Sequence, residues 1–275
     1  MNNNKKLKEK ELEVLNTFDK ICKKYNIKYY LAYGTLLGAV RHNGFIPWDD
    51  DIDICLDSRD LIKLRKILNN ECPKDYYYQD KLTDKYYYNY WSKFGLENTT
   101  WMPKKRIANC KYGICIDVWP LFPASNTPLD HIRVKIFTRL LLITSSKYYV
   151  LNKKNSNFFG KMFHKIMPNK LNDCLYNISF NILSNKKNNN YLVMYDIDND
   201  KYIYFKKEDI EGTRTHIFEN KKYYVPNNLE HYLETMYGDY MTPPEEKDRY
   251  GHDTGDNIIY DFEHSYKKYM EENNE

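Results

Sequence analysis

The sequence predicts an α+β fold: a mixed β-sheet flanked by helices, with a helical insertion in its second half. Three observations carry that expectation. Apolar residues recur at helical spacing over residues 4–25 and again over 127–184. Short runs rich in Tyr, Ile and Val, broken by Asn, Gly, Lys and Asp, fill residues 76–120. Between the first helix and those runs lies Tyr29 to Leu56, which switches from strand to helix and back to strand within 28 residues. At 275 residues the chain is one large domain, or one domain with a sizeable insertion. We divide it into a core at 1–124, a helical insertion at 125–190, and a C-terminal completion of the core with a polar tail at 191–275.

In chain order, Leu7, Val14, Phe18, Ile21, Cys22 and Tyr25 give residues 4–25 an apolar face, with lysines and glutamates between them. Tyr29 to Tyr33 reads as a strand, Gly34-Thr35 as a break, and Leu36 to Arg41 as a short helix. Asp51 to Leu56 reads as a strand with Ile52, Ile54 and Leu56 on its core face and Asp51 and Asp53 on the other. Asp49 joins that face if the strand starts early. Asp57-Ser58 offers a cap for a helix through Leu61, Leu64, Ile67 and Leu68. Strands are predicted at Tyr76–Tyr78, Tyr86–Phe94, Arg106–Asn109 and Tyr112–Trp119. In the last, Ile114, Ile116 and Val118 share one face, and Asp117 points the other way with Cys115 and Trp119.

Helical stripes follow at Ile132, Ile136, Leu140 and Ile143; at Phe158, Phe159, Met162, Phe163 and Ile166; and at Leu171, Leu175, Ile178 and Ile182. His164 reads as a core or surface histidine, and Lys186 to Asn190 as an exposed loop. Tyr191–Tyr195 and Tyr202–Phe205 read as strands. Asn227 or Asn228 can cap a last helix over Leu229, Tyr232, Leu233, Met236 and Tyr237, stopped by Gly238. From about residue 245 the tail is polar and is expected to be partly mobile.

Composition narrows the function. Twenty-eight tyrosines within a 42% hydrophobic chain predict an aromatic-rich core. A net charge of +4 is too small to argue for nucleic-acid binding. The short basic clusters at Lys104-Lys105-Arg106, Lys186-Lys187 and Lys221-Lys222 read as solvated surface; together they could favour an anionic acceptor or membrane face. The six cysteines form no C-x-x-C pair and no zinc spacing, which fits a reduced compartment. No secretory h-region and no apolar run approaching 18 residues is present. The expectation is a cytoplasmic protein, with possible peripheral contact at the inner membrane face.

The chemistry concentrates between Gly34 and Asp53. A strand, a glycine and a helix N-terminus form a seat for phosphate, because the backbone can come close and the first N–H groups attract an anion. The Asp51 and Asp53 backbones stand roughly 6.6 Å apart in a strand, so their carboxylates can converge on a hard cation. The plainer reading of the same residues is an acidic loop before an ordinary strand.

The run GTLLGAVRHNGFIPWDDDIDI pairs a glycine and a small hydroxyl residue with Asp-hydrophobic-Asp. With a further carboxylate in Ile114-Cys115-Ile116-Asp117-Val118-Trp119-Pro120, it resembles the nucleotidyltransferase superfold. More narrowly it resembles the LicD family, of which fukutin-related ribitol-phosphate transferases are distant cousins. A softer resemblance runs from Val225 through Tyr237-Gly238-Asp239-Tyr240-Met241 to Lys247. Together these cover most of residues 27–57, 112–122 and 211–247; residues 125–205 carry no matching motif.

The resemblance implies a nucleotidyltransferase-like sheet with the Asp117 strand beside the Asp51–Asp53 strand. It implies transfer of phosphocholine, or a related phospho-substituent, from CDP-choline or a similar CDP-linked donor. CMP would leave, and the acceptor would be a cell-surface glycan or lipid-linked oligosaccharide, of the lipopolysaccharide, teichoic acid or capsule kind. Mg²⁺ or Mn²⁺ would be held by Asp51 and Asp53. Asp117 would complete the metal site or accept the hydroxyl proton. Gly34 and Thr35 would touch phosphate, with Arg41 as a further phosphate partner or, alternatively, a salt-bridge partner of the aspartates. A quaternary ammonium favours an aromatic cage, for which Tyr86, Tyr87, Tyr88, Tyr90 and Trp91 are candidates. Two other classes stay open: a nucleotidyltransferase or metal-dependent glycosyltransferase, and a catalytically silent glycan-binding module.

Overall fold

The computed structural model describes residues 3–187, 189–249, 251 and 257–272. Helix α1 (Asn3–Lys24) turns Leu7, Val14, Leu15, Phe18 and Cys22 inward, as its periodicity predicts. Strand β1 (Tyr30–Leu31) is only two residues long, because the chain reverses at Ala32 and enters helix α2 (Tyr33–His42) directly. Tyr33 takes the turn with a φ of 43°, a strained value for an aromatic residue. Gly34 and Thr35 therefore lie inside the first helical turn and do not form a break before it.

Strand β2 (Asp53–Asp57) leads into α3 (Ser58–Glu71), which Asp57 caps by accepting the Arg59 backbone N–H at 2.8 Å. Next come β3 (Tyr76–Gln79), β4 (Ser92–Leu96), β5 (Thr100–Pro103) and β6 (Cys115–Ala124). Helices α4 (Pro128–Ser145), α5 (Lys147–Asn152), α6 (Phe158–Ile166) and α7 (Asn169–Ser184) follow. The chain then rejoins the sheet as β7 (Tyr191–Asp196) and β8 (Lys201–Lys206). It continues through α8 (Lys207–Ile210), the hairpin β9 (Thr215–Phe218) and β10 (Lys221–Tyr224), and α9 (Leu229–Tyr237). Last are β11 (Ile258–Asp261) and α10 (Lys267–Glu272).

The main sheet runs β1-β2-β6-β4-β3, with β7 and β8 joined to the far end of β6. It is mixed: β2 and β6 are parallel, and the other pairs are antiparallel. Ile52, Ile54, Cys55 and Leu56 are all fully buried, so β2 is covered on both faces, as a parallel pair requires. The core is aromatic: Tyr29, Tyr90 and Tyr232 are buried alongside Phe18, Phe94 and Phe205. Their hydroxyls find partners where burial would otherwise be costly; Tyr29 donates to Asp19 at 2.9 Å and Tyr90 to the Tyr195 carbonyl at 2.6 Å.

Several elements differ from the sequence prediction. Tyr86 to Trp91 is not strand; β4 starts only at Ser92. Arg106 to Asn109 forms no strand; the strand before it is β5, which pairs with β11. Strand β6 continues past Trp119 through two prolines. Pairing with β4 ends at Val118, so Pro120 has only β2 beside it and its missing N–H disrupts no second ladder. The tail is not uniformly loose: Ile258 to Asp261 are paired and Tyr266 is buried in a satellite core with Met102 and Tyr112. Residues 250 and 252–256 of the predicted mobile tail, and Asn188 of the predicted loop, lie outside the described residues.

The three helical stripes lie on helices α4, α6 and α7 as predicted, and much of their apolar surface faces outward. Leu129, Ile132, Ile136 and Ile143 of α4 are exposed, as are all five large apolar side chains of α6 and Leu171 and Ile178 of α7. Helices α4 and α7 pack against each other through Val134, Thr138 and Leu141, and Tyr176, Phe180 and Leu183. His164 is buried, as a core histidine.

Candidate active site

Asp53 and Asp117 are direct register partners on the parallel strands β2 and β6, so their side chains leave the sheet on one face. The adjacency expected of the two strands is therefore present. The Asp117 backbone N–H donates to the Ile52 carbonyl at 2.9 Å, which fixes the start of the pairing. Both aspartates line a cavity of about 460 Å³ that also takes Gly34, Asp49, Asp50 and Asp51 into its wall.

Two indoles pin the two aspartates. Trp119 Nε1 donates to Asp53 Oδ1 at 2.7 Å, and Trp91 Nε1 donates to Asp117 Oδ2 at 2.8 Å. The two rings stack on each other, 4.1 Å between centroids and 21° apart in plane. Tyr33, held by the reversal before α2, closes on Trp119 at 5.1 Å. Each carboxylate is thus fixed in rotation by a donor that belongs to a rigid aromatic wall.

The second oxygen of Asp117 is also engaged. Lys93 Nζ stands 2.9 Å from Asp117 Oδ1 and 3.6 Å from Cys115 Sγ. Lys93 and Asp117 are cross-strand partners on β4 and β6, the sheet position where opposite charges meet. Burial works against the Lys93 ammonium, yet the Asp117 charge, aided by Cys115 and Tyr87, holds its pKa well above the ordinary lysine range. Lys93 is therefore a fixed positive charge in the cavity wall.

Among the described residues, Asp49, Asp50 and Asp51 form the one group of ligand-type side chains whose oxygens lie within 4.8 Å of one another. Asp53 and Asp117 are not in that group. Asp51 precedes β2 and sits in the loop, so loop geometry, and not strand alternation, brings it to Asp53's side of the cavity. Lys8 holds the loop from below through the carbonyls of Ile46 and Pro47, at 3.0 and 3.2 Å.

The other predicted ligands are placed as follows. Gly34 lines the cavity, and the Asp49 carboxylate lies directly against it: a Cβ there would meet Asp49 Oδ2 at 2.5 Å. Thr35 is buried, and its hydroxyl accepts the Asp53 backbone N–H at 2.8 Å. It shapes the start of β2 and does not line the cavity. Arg41 is outside the lining too, donating to the Tyr240 carbonyl at 2.9 Å. Of the five cage candidates only Trp91 lines the cavity; Tyr86 and Tyr88 pack on Tyr148 and Tyr149 of α5, and Tyr87 and Tyr90 are buried.

Sequence reasoning missed several wall residues. Glu11 reaches the cavity from α1; it is 3% exposed, and its Oε2 has no hydrogen-bond partner. Burial, with Asp51, Asp50 and Asp49 close by, raises its pKa well above the usual carboxylate range. Asp196 and Asp198 arrive on the β7–β8 turn and Tyr237 from α9. Only Glu11, which with Asp19 interrupts the apolar face of α1, was legible as a signal.

A mixed sheet with aspartates on adjoining parallel strands, beside an acidic loop and a helix N-terminus, is the arrangement expected of the nucleotidyltransferase-fold class. Residues 26–165 match the family described as LicD/FKTN/FKRP, nucleotidyltransferase domain, and the chain belongs to that family. It is 29% identical over 254 residues to the lipopolysaccharide cholinephosphotransferase LicD of Haemophilus influenzae, covering 88% of this chain and 92% of that protein. Uncharacterised proteins of Rickettsia prowazekii and Rickettsia typhi share a 56-residue stretch at 48% and 46% identity, which is 20% of this chain and 21% and 18% of theirs.

Proposed function

We propose that this chain moves phosphocholine, or a closely related substituted phosphate, from a CDP-linked donor to a glycan hydroxyl, with release of CMP. One observation carries the reading: a single cavity is lined both by the Asp49–Asp51 carboxylates and by the stacked Trp91–Trp119 pair. The first suits a diphosphate bound with a divalent ion. The second suits a quaternary ammonium, which has no proton to donate and is recognised by π-faces and nearby negative charge. Asp196 and Asp198 supply such charge in the lining of the same cavity.

The donor set fits a hard cation. Every candidate ligand is a carboxylate oxygen, and the orphaned, buried Glu11 Oε2 faces the same loop. Asp51 and Asp53, with Asp49 and Asp50 beside them, would hold Mg²⁺ or Mn²⁺. When bound, such an ion neutralises the diphosphate and the charge developing on the leaving CMP.

The protein's own groups then position and stabilise. Trp119 keeps Asp53 from rotating, and Gly34 lets Asp49 approach the first turn of α2. Asp117 has both oxygens occupied, so we assign it to seating Lys93 and not to proton abstraction. Lys93 would face the phosphate oxygens as they gain charge. In the transfer, the acceptor oxygen bonds to the choline-bearing phosphorus and the bridging P–O bond to CMP breaks. The hydroxyl proton passes to a carboxylate lining the cavity. Thr35 and Arg41 act at a distance from the donor, by holding β2 and the segment at Tyr240.

The test is a donor panel. The protein is incubated with Mg²⁺ or Mn²⁺, a glycan acceptor and CDP-choline, other CDP-linked alcohols, sugar nucleotides or nucleoside triphosphates, and CMP and pyrophosphate are quantified. CMP from CDP-choline above all other donors supports the proposal. Pyrophosphate from a triphosphate would move the chain to the classical nucleotidyltransferases.

A further inference from the structure

Eleven of the fifteen large apolar side chains exposed among the described residues fall between Leu129 and Ile178. That concentration is not scattered surface hydrophobicity. In α6, Phe158, Phe159, Met162, Phe163 and Ile166 span a single helical face, and all five are 45% or more exposed. Its one buried residue is His164, so the helix presents its apolar side outward. In α4 the exposed Leu129, Ile132, Ile136 and Ile143 make a second stripe, opposite the buried Val134, Thr138 and Leu141.

Charge identifies what covers this face. Between Asp130 and Asp173 the sequence holds nine lysines and arginines and not one Asp or Glu, in a chain whose net charge is only +4; Arg133 and Arg139 pair with Asp130 and Asp200 and Lys147 is buried, which leaves six lysines for the surface. Lys161 and Lys165 flank the apolar face of α6 on one side. Lys154 and Lys170, just outside α6, are exposed. A second copy of this chain would set like charges against like. A bilayer with anionic headgroups satisfies both features: apolar side chains enter the headgroup–acyl boundary, and lysines reach the phosphates. Among the described residues no helix is long and apolar enough to cross a membrane.

We infer that the exposed faces of α4 and α6 dock the protein on an anionic lipid bilayer, lying in its surface without spanning it. This is independent of which donor the cavity takes, since it concerns residues outside the cavity wall.

Flotation with vesicles tests it directly. Two preparations are compared: pure phosphatidylcholine, and phosphatidylcholine with ~30 mol% phosphatidylglycerol. The full chain is expected to float with the anionic vesicles and much less with the neutral ones, and raising salt to ~1 M should weaken its recovery. Phe159→Asp with Ile166→Asp should lower partitioning at least ~100-fold, and Lys161→Gln with Lys165→Gln about 30-fold on anionic vesicles. Both variants should keep the wild-type melting temperature and the wild-type rate on soluble donor. Wild-type protein that stays unbound to either vesicle, or binds both equally and without salt dependence, overturns the inference. So does a dimer that the Phe159→Asp, Ile166→Asp pair dissolves while vesicle binding is absent.

Discussion

At the scale of single residues, the site depends on donors that hold carboxylates still. Trp119→Phe keeps the ring in the stack but removes the N–H from Asp53 Oδ1. Leaving a buried carboxylate oxygen without that donor costs about 1–3 kcal/mol, and turnover should drop about 10–100-fold with the fold intact; steady-state kinetics beside a thermal melt would show it. Gly34→Ala acts on a neighbour. Its Cβ would meet the Asp49 carboxylate, a flexible end that can swing aside, so folding should survive while Mn²⁺ affinity weakens about tenfold. A Mn²⁺ titration with unchanged affinity would remove Asp49 from the ion site. Sequence alone made Asp51, Asp53 and Gly34 legible, because the acid-x-acid pattern and the glycine are local; Asp117 came from the family resemblance. It could not give Lys93 or Trp91, whose relation to Asp117 rests on the register of β4 against β6. Thr35 was read as a phosphate contact from the glycine–hydroxyl motif and Arg41 from its place near the end of the short helix; the helix begins one residue earlier than the glycine, and neither residue lines the cavity.

At the scale of elements, local patterns succeeded where one face is buried and failed where strands are short or pair over long range. Helices α1, α3 and α9 follow their apolar spacing and caps, and Asn228 caps α9 by accepting the His231 N–H at 3.3 Å. The β5–β11 ribbon joins segments more than 150 residues apart, and nothing within either segment announces the other. That ribbon carries a pH dependence. Burial alone would raise the Asp261 carboxyl, but the Tyr269 hydroxyl and the N–H groups of Glu263 and His264 outweigh it and hold its pKa down at about 2. A depressed carboxylate stabilises the folded state above its unfolded pKa of about 4 and loses that contribution as pH falls towards 2. The protection factors of Ile258–Asp261, exchange taken relative to the intrinsic rate at each pH, should therefore fall between about pH 4 and pH 2, and Asp261→Asn should abolish the change. Protection factors that stay constant over that window would contradict the assignment.

At the scale of the whole molecule, the sheet does two things. It brings aspartates from β2 and β6 to one cavity, and it sends out, between β6 and β7, a set of helices with an apolar, basic exterior. The first was visible as a motif. The second was visible only as periodicity, and periodicity reports an amphipathic face without saying whether protein or another phase lies against it. The α4 and α6 stripes were read only as helical apolar faces for that reason. The central claim is that Asp53, fixed by Trp119 beside Asp117 and Lys93, is essential to transfer from the donor. The most direct measurement is CMP release from CDP-choline by wild-type protein and by Asp53→Asn, with Mg²⁺ or Mn²⁺ present and melting temperatures taken in parallel. The account predicts a rate lower by at least about 1,000-fold, roughly 4 kcal/mol of barrier, with little change in melting. Near-normal release by Asp53→Asn would contradict it.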